Sequence, residues 1–290
     1  MTLNGSGEMQ VSVLLASSHR SWQRMEEMVE LTPGAPVRLN LSAMFADTPD
    51  DGVIFFEVQA LTPGGVLQGA DWQTQDAPRR VPDLMLAITT FKREDAVQST
   101  VSRFEDYIAN APLKDHIRLT VVDNGQSAGL TGTPHVTVID NENLGGAGGF
   151  SRGLLAARDT GASHCLFMDD DASIHMESLE RTWLFLAYAT DPATAVAGAM
   201  INATHRWSIW ENGALFNGNC SPQHMGTDLR ESDQVHDMEC ATTAPAPDNL
   251  YGGWWYFAFP VDRAEHQPFP FFVRGDDVSF SLVHDFNIAR

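Results

Sequence analysis

The stretch Cys165-Leu166-Phe167-Met168-Asp169-Asp170-Asp171 decides how the chain is read, because an apolar run of strand length stops abruptly on three adjacent carboxylates. The same rhythm extends upstream. Leu84 to Ile88 reads as a buried strand, followed by Thr89-Thr90-Phe91-Lys92-Arg93. A helix is expected from about Asp95 to Asn110, with Val97, Val101, Phe104 and Ile108 on one face. Strands Leu119 to Val122 and Val136 to Ile139 come next, then a glycine-rich loop and a helix from about Phe150 to Asp159. Strands alternating with helices imply an α/β fold with a mostly parallel sheet covered on both faces. Ligands bind such sheets beyond the carboxyl ends of the strands. Thr90, Asp123, the glycine loop and the aspartate run all fall there.

Residues 1 to about 80 have a different pattern. Val37, Leu39 and Leu41 alternate with polar partners, as do Ile54, Phe56 and Val58, with Pro49-Asp50-Asp51-Gly52 as a turn between the runs. Pro33-Gly34 and Pro63-Gly64-Gly65 punctuate the rest. A small antiparallel sheet or sandwich is expected over 1–80, a linker over Gln73 to Arg80, and the α/β domain over 81–290.

Composition narrows the function classes. A hydrophobic fraction of 43% and a charged fraction of 19% are those of a soluble globular protein. A formal net charge of -20 argues against a nucleic-acid partner, since phosphate backbones reward basic surfaces. An anionic substrate must then be met by a metal or by backbone dipoles. Cys165, Cys220 and Cys240 are far apart and form no CxxC pair, so neither a disulfide framework nor a zinc site is indicated. No signal peptide is read in Met1 to Arg20, and no apolar run approaches the roughly 18 residues of a membrane span. A reducing, cytoplasmic setting is expected, with at most peripheral contact with the inner face of the cell membrane. Homo-oligomerisation stays open.

In an extended segment Asp169 and Asp171 point the same way and can share one hard cation, with Asp170 turned elsewhere. The bland alternative is a solvated turn with an aspartate capping the next helix. A calcium loop is discarded, because Ile174 stands where that loop needs glycine. The loop Asn143 to Gly149 lets backbone approach a ligand at a helix N-terminus. It can equally serve close packing or belong to a dinucleotide fold. In Tyr251-Gly252-Gly253-Trp254-Trp255, adjacent tryptophans cannot both face one core from a regular strand, so one ring is expected in a cleft. Phe269 to Asp277 places Asp276-Asp277 after an apolar run, where a carboxylate can act as general base or simply cap a helix.

Together these stretches resemble the inverting galactofuranosyltransferases of glycosyltransferase family two, the mycobacterial galactan polymerases. The resemblance rests on Thr89 to Arg93, Asn143 to Gly149, Met168 to Ala172, Trp254-Trp255 and Phe269 to Asp277, in the family's order. It implies a GT-A domain, Rossmann-like with a mostly parallel sheet, preceded by a small β-sandwich. It also implies a UDP-sugar donor, UDP-galactofuranose, and a glycan or glycolipid acceptor. Arg93, Asp123 and Asn143 would contact the uridine end, beside Gly145 and Gly146. Asp169 and Asp171 would bind Mn2+ or Mg2+ bridging the diphosphate, with Asp170 against the donor. Trp254 and Trp255 would shape a sugar pocket, Asp277 would be the base, and Asp276 would help bind the acceptor. The family's later metal-ligating histidine has no match: His284 lies only seven residues beyond Asp277. The domain is therefore expected to lack its C-terminal part. Transfer of another sugar such as a hexopyranose or rhamnose, an NAD-binding oxidoreductase, and a non-catalytic carbohydrate binder remain as alternatives.

Overall fold

The computed structural model describes residues 1–17, 20–45 and 52–290, so the expected turn at Pro49-Asp50-Asp51 lies outside the described residues. Packing divides the chain into two units, Met1–Ala77 with Thr227–Pro245, and Pro78–Gly226 with Ala246–Arg290.

In the first unit every strand pairs with one long strand, β1 (Thr2–Ser17). Its opening residues pair antiparallel with β3 (Val37–Arg38) and β5 (Val66–Asp71), and its remainder with β2 (Arg20–Leu31) and β4 (Val53–Ala60). The exchange of partners falls at Gly7, whose φ is +96° and where a Cβ would meet Thr62 Oγ1 at 2.7 Å. Met9, Val11 and Val13 alternate inward and pack with Ile54, Phe56 and Val58. The expected strand Val37 to Leu41 shrinks to β3. Leu39 and Leu41 are buried core residues outside any strand, and Leu41 leads into the short helix α1 (Ser42–Phe45). The hairpin of β1 and β2 escaped the sequence reading, because Arg20 to Leu31 carries too many charged residues to show strand alternation. A later helix, Ser232–Thr243 (α5 in chain order), also belongs to this unit, with Cys240 Sγ 3.8 Å from the Ala16 carbonyl.

The second unit is built on a seven-stranded sheet. In chain order its elements are β6 (Leu84–Thr90), α2 (Glu94–Ile108), β7 (Ile117–Asp123), β8 (Val136–Asp140), α3 (Gly145–Asp159), β9 (His164–Asp169), α4 (Glu177–Tyr188) and β10 (Thr194–Ala197). The short strands β11 (Met200–Ile201), β12 (Ile209–Glu211), β13 (Ala214–Phe216), β14 (Cys220–Pro222) and β15 (Leu250–Tyr251) form two side sheets. β16 (Phe257–Pro260), α6 (Asp276–Val283) and β17 (Asn287–Ala289) close the chain. The main sheet runs β17-β10-β16-β9-β6-β7-β8. Its strands are parallel except where β16 pairs with β9 and with β10.

Strand alternation splits β6 between two cores. Leu84, Leu86 and Ile88 face α2 and α4, whereas Met85 and Ala87 face α3 and α6. Burial on both faces explains why these strands read as continuous apolar runs. Among the described residues no helix is long and apolar enough to cross a membrane. No disulfide joins Cys165, Cys220 or Cys240 among the described residues.

Candidate active site

The carboxyl ends of β6, β7 and β9 lie side by side, with Thr89 opposite Asp169 and Thr90 opposite Asp123 in register. β9 stops at Asp169, so Asp170 and Asp171 occupy a turn rather than an extended segment. Asp170 is buried and turned inward. It accepts a 2.8 Å bond from Thr90 Oγ1, lies 3.3 Å from Arg93 Nη1, and its carbonyl accepts from Thr100 Oγ1 at 3.0 Å. These bonds hold the turn. Asp171 is half exposed and pairs with Arg93 Nη2.

Asp169 has no such partner. Although the residue keeps a solvent-exposed side, its carboxyl is raised to about 6, first by the protein packed around it and then by Asp171, Asp170 and Asp277. Asp277, in the first turn of α6, is likewise pushed up to about 6, chiefly by burial and partly by Asp276. The backbone N–H of Val278 opposes this rise, donating to Asp277 Oδ1 at 2.8 Å. Asp276 is buried and also raised by burial. The two acidic motifs, over a hundred residues apart in sequence, therefore converge electrostatically.

The glycine segment differs from expectation. It is not a loop ahead of a helix at Phe150 but the first turns of α3, which starts at Gly145. Two different constraints demand glycine there. At Gly149 a Cβ would lie 2.1 Å from Thr89 Cγ2, so α3 can cross β6 closely only without a side chain. At Gly145, with φ +72°, a Cβ would lie 2.4 Å from the Phe272 carbonyl, and at Gly146 3.1 Å from Asp276 Oδ2. These glycines let the segment before α6 approach and so deliver Asp276 and Asp277.

Asp123 is buried, and both oxygens are spent on backbone donors: Gly125 N at 2.9 Å, Ser127 N at 2.8 Å and Ala128 N at 2.7 Å. It shapes the loop after β7. Asn143 is exposed and accepts from Gly145 N at 3.3 Å. The tryptophans depart from expectation. Trp254 is buried among Phe150, Phe167 and Phe280, and Trp255 is half-buried against the other core, with Nε1 donating to the Gly198 carbonyl at 2.8 Å. Each ring takes one side of the sheet, so neither needs the cleft.

Two residues escaped the sequence reading. Asn124 is buried and bridges Asn141 (2.8 Å) to the Gly145 carbonyl (3.0 Å), tying β7 to the start of α3. Glu211, on β12, is only 5% exposed and its Oε1 has no hydrogen-bond partner. Its carboxyl is raised to about 7 by burial and by Asp277. A single glutamate in a three-residue strand offers no motif by which to find it.

Carboxylate oxygens are the donors a hard divalent cation takes, and the uncompensated charge at Asp169 fits one. No group of three or more His, Cys, Asp or Glu side chains in metal-holding arrangement occurs among the described residues. His284 cannot join one: Nδ1 faces the Phe280 carbonyl at 2.7 Å and Nε2 accepts from His266 N at 2.9 Å.

An α/β domain with a mostly parallel sheet and a carboxylate-rich edge defines a class that binds ligands beyond its strand ends. Within it, the chain is homologous to galactofuranosyltransferases. It is 25% identical over 280 residues to galactofuranosyltransferase GlfT2 of Mycobacterium tuberculosis, covering 87% of this chain and 42% of that protein. To the same enzyme of Mycolicibacterium smegmatis it is 26% identical over 260 residues, covering 80% and 39%. The chain thus spans about two-fifths of the length of these relatives. No family model matches the chain. Among solved structures, the mannosyltransferase PcManGT from Pyrobaculum calidifontis, in complex with GDP-Man and Mn2+, superposes with a TM-score of 0.46 at 15% identity, over 76% of this chain and 57% of that one.

Proposed function

We propose that the chain is a metal-dependent, inverting glycosyltransferase of the GT-A type, moving galactofuranose from UDP-galactofuranose to a hydroxyl of a glycan or glycolipid acceptor. The single observation that carries this is the convergence of Asp169 and Asp277, two carboxyls whose proton affinities are both raised to about 6 at the carboxyl edge of the sheet. The homology to galactofuranosyltransferases supports the choice of sugar. On this reading Met1–Ala77 supplies the β-sandwich that precedes the transferase domain.

Asp277 takes the proton from the acceptor hydroxyl. A base whose affinity lies near neutrality combines a deprotonated resting state with a useful driving force for that transfer. Direct displacement by the freed oxygen inverts the anomeric centre. A divalent cation, Mn2+ or Mg2+, on Asp169 and Asp171 would offset charge developing on the UDP leaving group. Arg93, already oriented by Asp170 and Asp171, adds a cation to the same end of the site. Asp123, through the loop it shapes, and Asn143 border the uridine, with Gly145 and Gly146 alongside. Asp276 and Glu211 face the acceptor side of Asp277. Trp254 and Trp255 act by packing the walls of the site.

UDP with Mn2+ should raise the melting temperature of the 290-residue chain, and NAD should not. A screen of UDP-sugars for metal-dependent UDP release then identifies the donor. Stabilisation by NAD alone, or no response to UDP with Mn2+, would remove the transferase assignment.

A further inference from the structure

A cavity of about 610 Å³ opens at the end of the sheet opposite the acidic edge, where the chain enters β9 at His164 and leaves β16 at Pro260. Two guanidinium groups, those of Arg80 and Arg158, line this one cavity. Neither has a carboxylate within ion-pair distance among the described residues. Both are held in place by backbone carbonyls instead: Arg80 Nη1 donates to Leu186 O at 2.7 Å, and Arg158 Nη2 donates to Ala264 O. One such bond uses one of five N–H donors, leaving most of each fork unspent.

His164 lies in the wall between them. Burial and the nearby Arg80 push its proton affinity down to about 4, so the ring stays neutral and adds no charge that a ligand must offset. Ser163 Oγ occupies its Nδ1 at 2.9 Å, leaving Nε2 for another partner. The exposed Asp262 and Glu265 stand at the rim. They are carboxylate acceptors, of the kind that hold sugar hydroxyls, and they disfavour a ligand that is anionic throughout.

We infer that this cavity binds a phosphorylated, hydroxyl-bearing small molecule of the sugar-phosphate class, with phosphate on Arg80 and Arg158 and hydroxyls on Asp262 and Glu265. Forked guanidinium donors match phosphate oxygens, and charge-assisted bonds are the strong ones. This site is separate from the acidic edge and does not depend on the transferase reading.

Calorimetric titration of the chain with ribose 5-phosphate, inorganic phosphate and ribose tests it. Ribose 5-phosphate should bind saturably at millimolar concentration and more tightly than either fragment. R80Q and R158Q should each weaken it about tenfold, the worth of one charge-assisted bond. D169N should leave it unchanged. Because Arg158 also holds Ala264, melting without ligand is measured for both variants, and R80Q decides the matter should R158Q unfold. No saturable binding, binding unaltered in R80Q, ribose 5-phosphate no tighter than phosphate, or loss of binding in D169N would each overturn the inference.

Discussion

Asp123 and Glu211 are both buried carboxylates of the same domain, and they are treated in opposite ways. Asp123 receives three backbone N–H groups, whereas Glu211 Oε1 receives none. A buried carboxylate without donors takes up a proton or waits for a ligand. Asp277 lies between the two: desolvation raises it, while the backbone N–H of Val278 donates to its Oδ1.

The contrast can be broken most forcefully at Asp277. D277N should lower transfer roughly a thousandfold while UDP and Mn2+ still stabilise the protein, because only the proton acceptor is lost. Turnover close to that of the parent would take Asp277 out of the chemistry. Next in size is D123A, which removes the acceptor of three backbone N–H groups, one buried and two part-buried, and should destabilise the fold by about 2 kcal/mol in urea denaturation. A change within the noise would mean that the loop finds its donors other partners.

E211Q should do the reverse. The folded carboxyl is raised from 4.5 to about 7, so between those values the native state holds more protons than the unfolded chain. Stability then falls as pH rises through that window, and glutamine removes the fall. E211Q should therefore gain about 1–3 kcal/mol at pH 8 and nothing near pH 4. A gain independent of pH would point to packing instead. The smallest effect expected is in the pH profile of transfer. Activity should rise with pH through about 6 as Asp277 loses its proton, and that limb should be absent from the residual activity of D277N.

Much of the α/β domain was legible because strands buried on both faces announce themselves as unbroken apolar runs: β6, β7, β8 and β9 lie where Leu84–Ile88, Leu119–Val122, Val136–Ile139 and Cys165–Met168 were read. The start of α3 was not, since five residues rich in glycine look like a loop until the proximity of Phe272 and Thr89 supplies a reason for Gly145 and Gly149. Trp254 and Trp255 misled for a related reason. Alternation along one strand says that they diverge, but not that a core waits on both sides. In the first unit β2 was hidden by charge, and nothing local assigns Ser232–Thr243 to the same packing unit as β1.

Local order along the chain was enough to determine the strand–helix alternation, the acidic ends of β9 and α6, and the surplus of negative charge, because those follow from periodicity and composition. Which carboxylate is quenched and which is left wanting was decided only in three dimensions. Thr90 and Arg93 reach Asp170, the loop after β7 closes on Asp123, and nothing reaches Glu211 Oε1. Proton affinity depends on the donors and the water within a few ångströms, and distant parts of the sequence supply both.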